Sequence, residues 1–292
     1  MARATAWLLP LLTAAAVASA TASEPSALAA RQAELTDPAG APGAVQRALF
    51  AAGAQRERGE DAAARSTLRR YLADHPDQDH HLVRYHLGNL LAQVDSLDAA
   101  REQLETAVRL APDLQAAWRN LAEVTYAVGD FAPAADAFAR AAALDPEGLP
   151  ELRYYEGVAR LQADQPDRAL DVISALLDDR PRPDLDWHRV LLAAAVAADR
   201  APEITARMDT LTRARPDTAA AWLLAARQAQ AADDYPRAAA LMAVAGYLEP
   251  LDRNERFLLG DLCQAVGAPA RAAGHYEAAL ALDGEPTGAE LD

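Results

Sequence analysis

The chain has 292 residues, of which 28 are arginine and none is lysine, against 43 acidic residues and a single cysteine. The missing lysine excludes a Schiff base and a phosphate-loop lysine, and the single Cys263 excludes an internal disulfide or a CxxC redox pair. A formal net charge of −15 argues against a nucleic-acid binder, because affinity for phosphate backbones comes mainly from basic surface.

Residues 1–20 have the pattern of a secretory signal peptide. One positive charge, Arg3, precedes an apolar run over residues 7–17, and the small residues 18–20 form an A-x-A-like cleavage site. The apolar run is shorter than the roughly 20 residues that a transmembrane helix needs. We therefore expect cleavage near Ala20 and a periplasmic or secreted protein with no integral membrane span. An uncleaved signal that is kept as an anchor is the alternative.

Residues 21–44 are rich in alanine, proline, glycine and serine. This composition is typical of a flexible linker, here with a brief helix over residues 27–35.

From residue 45 onward the chain is periodic. Six prolines recur at spacings of 36, 34, 35, 35 and 34 residues, namely Pro76, Pro112, Pro146, Pro181, Pro216 and Pro250. Each interval contains an apolar helical stretch, a short break at glycine or aspartate, and a second helical stretch. The breaks are Gly59, Asp95, Gly129, Asp164, Asp199, Asp233 and Gly267. A fixed period of this length predicts stacked helix hairpins, one for each repeat.

Aligning the repeats on their prolines brings small residues into register. The eighth position holds Ala52, Gly88, Ala122, Gly157, Ala226 and Gly260. The twentieth position holds Ala64, Ala100, Ala134, Ala169, Ala238 and Ala272. Bulky apolar residues fill the twenty-fourth position: Leu68, Leu104, Phe138, Ile173, Met208, Met242 and Tyr276. We expect two helix backbones to approach at the small residues, with the bulky side chain filling the space beside them.

This pattern resembles the tetratricopeptide repeat. The third repeat matches it best, with Trp118, Leu121, Ala122, Gly129, Ala134, Phe138, Ala141 and Pro146. The resemblance implies an all-α, right-handed α-solenoid of about seven helix hairpins over residues 45–286, followed by a tail at 287–292. The repeats are expected at about 45–80, 81–114, 115–149, 150–184, 185–218, 219–252 and 253–286.

Some repeats depart from the pattern. Leu192 and Ile204 replace the expected small residues of the fifth repeat, so we expect its hairpin to open or shift. Glu156 takes a usually apolar position in the fourth repeat, and Tyr71 stands where alanine is usual in the first.

The resemblance also implies a concave groove, lined by the first helix of each repeat, in which such proteins usually bind an extended peptide or a partner's helix. The family's groove positions carry Tyr85, Asn89, Arg119, Glu123, Tyr126, Tyr154, Arg189, Arg227 and Gln230. Arginine offers a forked donor to carboxylates, and tyrosine adds apolar area with a hydroxyl. We hypothesise a partner segment with some carboxylate and some apolar character. Groove walls that are solvated or locally ion-paired are the alternative.

One better-defined binding mode of the family is not expected. It clamps a C-terminal carboxylate with two asparagines and several basic residues over three repeats. Asn89 and Asn120 fall at the asparagine positions, but Tyr85, Glu151 and Tyr155 stand where the basic residues belong. The charges that would hold the carboxylate are missing.

No catalytic, cofactor or metal motif is recognised. The chain lacks a G-x-S-x-G elbow, a glycine-rich phosphate loop and H-E-x-x-H. His75, His80, His81 and His86 lie among Asp74, Asp77 and Asp79, and such a group could bind a borderline metal ion. Their spacing fits no established site, and a solvated loop between repeats is the alternative that we favour. We expect Cys263 to be a buried structural residue.

These observations favour a non-enzymatic scaffold or adaptor for protein–protein interactions in a bacterial cell envelope, without nucleic acid, metal or cofactor. A polysaccharide-binding subunit, or an accessory subunit of exopolysaccharide synthesis or export, is the alternative, because tyrosine and arginine also contact sugars and uronates. The sequence leaves the oligomeric state open.

Overall fold

The computed structural model describes residues 26–145, 148–179 and 184–282. These residues form α-helices and short 3-10 helices, with no β-strand among them. They belong to two compact units, Met1–Asp164 and Gln165–Asp292. The predicted signal peptide, the repeat prolines Pro146 and Pro181, and the tail at 287–292 lie outside the described residues.

The first unit contains eight α-helices among its described residues. They are α1 (Ala27–Thr36), α2 (Gly43–Glu57), α3 (Asp61–Asp74), α4 (His81–Ala92), α5 (Leu97–Leu110), α6 (Gln115–Ala127), α7 (Phe131–Ala143) and α8 (Pro150–Gln162). Two 3-10 turns, Pro38–Gly40 and Pro76–Gln78, connect α1 to α2 and α3 to α4. Hairpin partners such as α4 and α5 pack side by side, and α3, α5 and α7 each pack against the helix that follows.

The second unit continues the alternation. Its described helices are α9 (Pro166–Asp178), α10 (Leu185–Ala197), α11 (Thr205–Ala214), α12 (Ala219–Ala231), α13 (Tyr235–Leu248), α14 (Arg253–Ala265) and α15 (Pro269–Leu280). Helices α4, α6, α8, α10, α12 and α14 begin at residues 81, 115, 150, 185, 219 and 253. Repeats two to seven, as predicted from the sequence, start at the same residues. None of the described helices combines the length and apolar character needed to cross a membrane.

A residue with a left-handed backbone conformation follows the first helix of each hairpin. All seven predicted breaks have positive φ, which is 75°, 88° and 76° at the glycines Gly59, Gly129 and Gly267 and 57–59° at the four aspartates. A side chain normally clashes with the backbone in this conformation, and the short polar side chain of aspartate is among the few that tolerate it. The alternation of glycine and aspartate at the breaks therefore follows from backbone sterics.

Aligned small residues lie where the two helices of a hairpin touch in α2–α3, α4–α5, α6–α7, α12–α13 and α14–α15. All six alanines of the twentieth position are at most 1% exposed. A Cβ added to Gly88 would lie 2.7 Å from Leu104 Cγ and 3.3 Å from the carbonyl oxygen of Ala100. A Cβ on Gly260 would overlap the ring of Tyr276 in the same way. The predicted packing of a small residue beneath a bulky one is therefore confirmed.

Two tryptophans form hydrogen bonds between successive repeats. The indole nitrogen of Trp118 donates to the carbonyl oxygen of Pro112 at 2.8 Å, and that of Trp222 donates to Pro216 at 2.9 Å. In both cases the acceptor is the proline that closes the preceding repeat. The recurring proline therefore provides a hydrogen-bond acceptor as well as a helix stop.

The predicted departures are accommodated locally. In the fifth repeat, Ile204 ends a 3-10 turn, Ala201–Ile204, and α11 begins only after it. Both Ile204 and Leu192 are buried, and α10 packs against this turn and α12. In the fourth repeat, Glu156 pairs with the buried Arg160, which also reaches Asp136 of α7 at 2.8 Å.

Replacing Gly88 with alanine should destabilise the chain by about 1–3 kcal/mol, because the new methyl group must displace the branch point of Leu104. Gly53→Ala in helix α2 is the matched control, since its Cβ would meet nothing within 4 Å. The control should be neutral or stabilising by up to about 1 kcal/mol. Urea unfolding followed by far-UV circular dichroism measures both. Equal effects at the two glycines would contradict the close-approach packing.

Candidate functional site

Six of the predicted groove residues lie on three first helices of the first unit. Helices α2, α4 and α6 lie side by side, and α8 packs against α7. We call the surface formed by these six half-buried side chains the inner surface. Its residues are Tyr85 and Asn89 on α4, Arg119, Glu123 and Tyr126 on α6, and Tyr154 on α8. Within α4 and α6 they are spaced by three or four residues, so they share one face of each helix.

A pair of asparagines joins α4 to α6 at this surface. The Asn120 amide nitrogen donates to the Asn89 side-chain oxygen at 2.7 Å. Asn120 is buried, and its own oxygen has no hydrogen-bond partner among the described residues. The two side chains that the carboxylate-clamp mode would direct at a ligand are therefore bonded to each other.

Arg119 and Glu123 form only a loose ion pair. Arg119 Nε lies 3.9 Å from Glu123 Oε1, beyond hydrogen-bonding distance, and Nε has no hydrogen-bond partner among the described residues. Burial raises the pKa of Glu123, and the nearby Arg119 opposes this rise only in part. Glu123 therefore does not satisfy the Arg119 Nε–H donor.

Aromatic rings form a rigid part of the same surface. The ring of Tyr126 meets that of Phe131 edge-on at 5.1 Å, and Tyr154 meets Tyr155 edge-on at 5.4 Å. Tyr155 in turn stacks on the buried Phe138 at 5.7 Å. Such contacts hold the rings in defined orientations before any partner arrives. Tyr155 is absent from the predicted groove set, although the Tyr154-Tyr155 pair in the sequence is the signal that could have identified it.

His86 lies beside the inner surface on α4. Its ring contacts the ring of Tyr85 edge-on at 5.1 Å. Burial lowers the pKa of His86 to about 4, and the positive charge of Arg56 acts in the same direction. The imidazole is therefore neutral at physiological pH.

The other histidines of the predicted cluster contact the backbone, and the rings of His80 and His81 stack with their centroids 4.4 Å apart. His75 Nδ1 bonds the carbonyl oxygen of Tyr71 at 3.2 Å, and the two rings stack. His80 accepts from the Leu82 N–H at 3.3 Å, which caps α4. The Asp79 carboxylate accepts two hydrogen bonds from the Arg84 guanidinium, at 2.8 and 2.9 Å. Within the described ranges, no group of three or more histidine, cysteine, aspartate or glutamate side chains is arranged to hold a metal ion.

The segment that the sequence assigns to a flexible linker is docked beside the inner surface. Gln32 of α1 donates to the carbonyl oxygen of Asp113 at 2.7 Å and accepts from the N–H of Gln115 at 2.9 Å. His81 Nε2 bonds the carbonyl oxygen of Leu35 at 2.9 Å, and the Leu35 side chain is buried. Three contacts with residues 46 to 83 positions further along the chain therefore hold this segment against the starts of α4 and α6.

The other three predicted groove residues belong to the second unit. Arg189 on α10 is exposed and pairs with Asp186 of the same helix. Arg227 on α12 is exposed, and Gln230, three residues further along that helix, is half-buried. Cys263 of α14 is buried, as the sequence predicts.

The fold is similar to that of solved tetratricopeptide-repeat structures. The C-terminal part of a TPR repeat-containing protein from Cytophaga hutchinsonii aligns with a TM-score of 0.58 at 14% identity, covering 82% of this chain and 96% of that one. A tetratricopeptide repeat protein from Parabacteroides merdae aligns with a TM-score of 0.48 at 15% identity, covering 82% and 93%. No family model and no curated protein matches the chain. The predicted all-α tetratricopeptide-repeat fold is confirmed.

The folded first unit should become less stable at acidic pH because His86 is buried in its neutral form. Its pKa is about 4 in the folded chain and about 6.5 when exposed, so between these values only the unfolded state takes up the proton. The urea midpoint should therefore fall as the pH drops from 6.5 to 4, and His86→Gln should reduce that fall. His275→Gln, in α15, is the control. A pH profile left unchanged by His86→Gln would contradict this assignment.

The docking of α1 should be visible in proteolysis. Because the chain has no lysine, trypsin cuts only after arginine, and Arg31 precedes the Gln32 anchor directly. Replacing Gln32 and Leu35 together with alanine should speed cleavage after Arg31 by about tenfold or more, since about 1.4 kcal/mol of lost docking gives that factor. Thr36→Ala is the control, because its exposed hydroxyl bonds only carbonyls of α1. Mass spectrometry over time gives the rates, and equal rates in all variants would show that α1 is not held.

Proposed function

We propose that the chain is a non-enzymatic protein-binding scaffold of a bacterial cell envelope, which holds a segment of a partner protein on the inner surface of its first unit. The observation that carries the proposal is the combination of rings in fixed orientations with an arginine that its neighbour does not saturate. Three adjacent repeats contribute to this surface, which suits a ligand longer than a single side chain. The similarity to solved structures supports the fold on which the proposal rests, and the function is our inference.

The inner surface favours a segment that carries both apolar side chains and a carboxylate. Tyr126 and Tyr154 offer apolar area at a low cost in conformational entropy, because their orientations are already set. Arg119 can offer its forked donors to a carboxylate. A carboxylate that approaches Arg119 also approaches Glu123, whose pKa is already raised by burial. Binding should therefore be coupled to proton uptake by Glu123, which lowers the repulsion between the two acids.

The envelope location rests on the sequence of residues 1–20. Their charge, apolar run and small-residue site form the pattern of an export signal. A binding scaffold in that compartment has no need of disulfides or lysine chemistry, and the chain has one buried cysteine and no lysine.

Site-specific crosslinking in living cells tests the location and the binding surface together. Benzoylphenylalanine placed at position 126 should crosslink a partner that is recovered with the envelope fraction and identified by mass spectrometry. The same probe at position 105, an exposed glutamate of α5, is the matched control. Equal products from both positions, or none from position 126, would count against the inner surface.

Substitutions then measure the contribution of the surface to binding. The triple variant Arg119→Ala, Tyr126→Ala, Tyr154→Ala should bind the crosslinked partner at least tenfold more weakly, because each residue is a partly desolvated anchor. The control replaces Arg109 and Tyr235, which are exposed arginine and tyrosine residues elsewhere on the chain. Circular dichroism checks that both variants are folded. An unchanged affinity of the triple variant would overturn the proposal, and glycan-array hits without a protein crosslink would favour the polysaccharide alternative.

A further inference from the structure

Helix α13 presents an uncharged face to solvent. Tyr247 is 90% exposed and Val244 is 37% exposed, and both lie on the same side of the helix as the exposed small residues Ala240 and Ala243. We call these four residues the α13 stripe. Their spacing of three, one and three residues follows the helical period, so they form a continuous strip along the helix.

The other second helices of the described repeats do not share this feature. Each carries exposed charges: Arg69, Arg70 and Asp74 on α3; Asp98, Glu102, Glu105 and Arg109 on α5; Asp136 and Arg140 on α7; Asp167, Arg168, Asp171 and Asp178 on α9; Arg213 on α11; Arg271 and Glu277 on α15. The exposed residues of α13 are Tyr235, Pro236 and the stripe itself. An uncharged helix face is therefore a local exception in a chain whose net charge is −15.

We propose that the α13 stripe binds the same stripe of a second copy of this chain, with the two helices antiparallel about a twofold axis. Electrostatics favour a contact through an uncharged face. Two copies that each carry −15 repel one another, and contact between charged helix faces would also strip those charges of water. The four stripe residues carry no charge, and the nearest charged group on that side of α13, Arg237, is already ion-paired with Asp209.

Side-chain sizes also match in the antiparallel register. With the twofold axis between Ala243 and Val244, Tyr247 of one copy lies opposite Ala240 of the other, and Ala243 lies opposite Val244. Each bulky side chain thus faces a small one, and the small residues let the helix axes approach closely. Because each copy uses the same patch, the contact closes at two copies and does not propagate into a filament.

The size of the stripe predicts a weak dimer. A tyrosine buries about 150–250 Å² when it is fully covered, so two copies of this short stripe bury less than the roughly 1,200 Å² of a standard stable interface. The association is therefore expected in the micromolar to millimolar range. Added salt should tighten it, because salt screens the repulsion between two acidic copies and breaks no ion pair in the contact.

Analytical ultracentrifugation of the full chain from 5 to 500 µM, at low and high sodium chloride, tests the proposal. The weight-average mass should rise with concentration and rise further with salt. Tyr247→Asp should weaken the association by at least tenfold. Phe50→Asp is the matched control, since Phe50 is 64% exposed on α2 and lies outside the stripe. Circular dichroism confirms that each variant is folded.

A size swap tests the register independently. Tyr247→Ala removes the bulky residue and Ala240→Tyr places two tyrosines opposite each other, so each single variant should associate less. The double variant restores a tyrosine opposite an alanine, so it should recover association to within about threefold of the native chain. A chain that stays monomeric throughout, an association that weakens with salt, or a double variant as weak as Tyr247→Ala would overturn the proposal.

Discussion

The close approach of two helix backbones within a hairpin, as in α4–α5, α6–α7, α12–α13 and α14–α15, is the constraint on which the rest of the structure depends. At Gly88 there is no room for even one additional carbon, because Leu104 and the backbone at Ala100 occupy the space. The small residues of this contact recur at intervals of 34 to 36 residues, except in the fifth repeat, where Leu192 and Ile204 replace them. Alanine suits the positions around it, because it is small, favours helix and loses no side-chain entropy on folding.

Because the helix contacts require small residues, charged and variable side chains lie mainly on the helix surfaces that face away from these contacts. Apart from the buried Arg160, the acidic and arginine side chains of the described residues are half-buried or exposed, and arginine is the only cationic residue besides histidine. Several arginines bridge successive repeats, as Arg140 does to Asp113 and Arg207 does to Asp178. Exposed pairs of this kind contribute little stability individually, but they satisfy the guanidinium groups that take part. Arg119 differs, since its nearest acid is 3.9 Å away and costly to ionise.

Local sequence patterns predicted where the helices begin, whereas contacts between residues distant in sequence were not predicted. The helix starts at 81, 115 and 150 follow from prolines and break residues a few positions away. The docking of α1 depends on how Gln32 fits the backbone at Asp113 and Gln115, more than 80 residues along the chain, and no local signal encodes that fit. For the histidine cluster, closeness in sequence does not produce one shared environment. Neighbours in sequence such as His81 and His86 point to different surroundings once α4 has formed.

In a repeat protein, residues that break the pattern at unconstrained positions are informative about function. Tyr247 occupies the twenty-ninth position of the sixth repeat, and the same position holds Arg109, Asp178 and Arg213 in the second, fourth and fifth repeats. The fold does not require a tyrosine there, because the residue is 90% exposed. Solubility disfavours it as well, since the other repeats have a charged residue or alanine at this position, and an exposed aromatic residue adds apolar surface. A residue that neither packing nor solubility explains is best accounted for by a contact outside the folded chain.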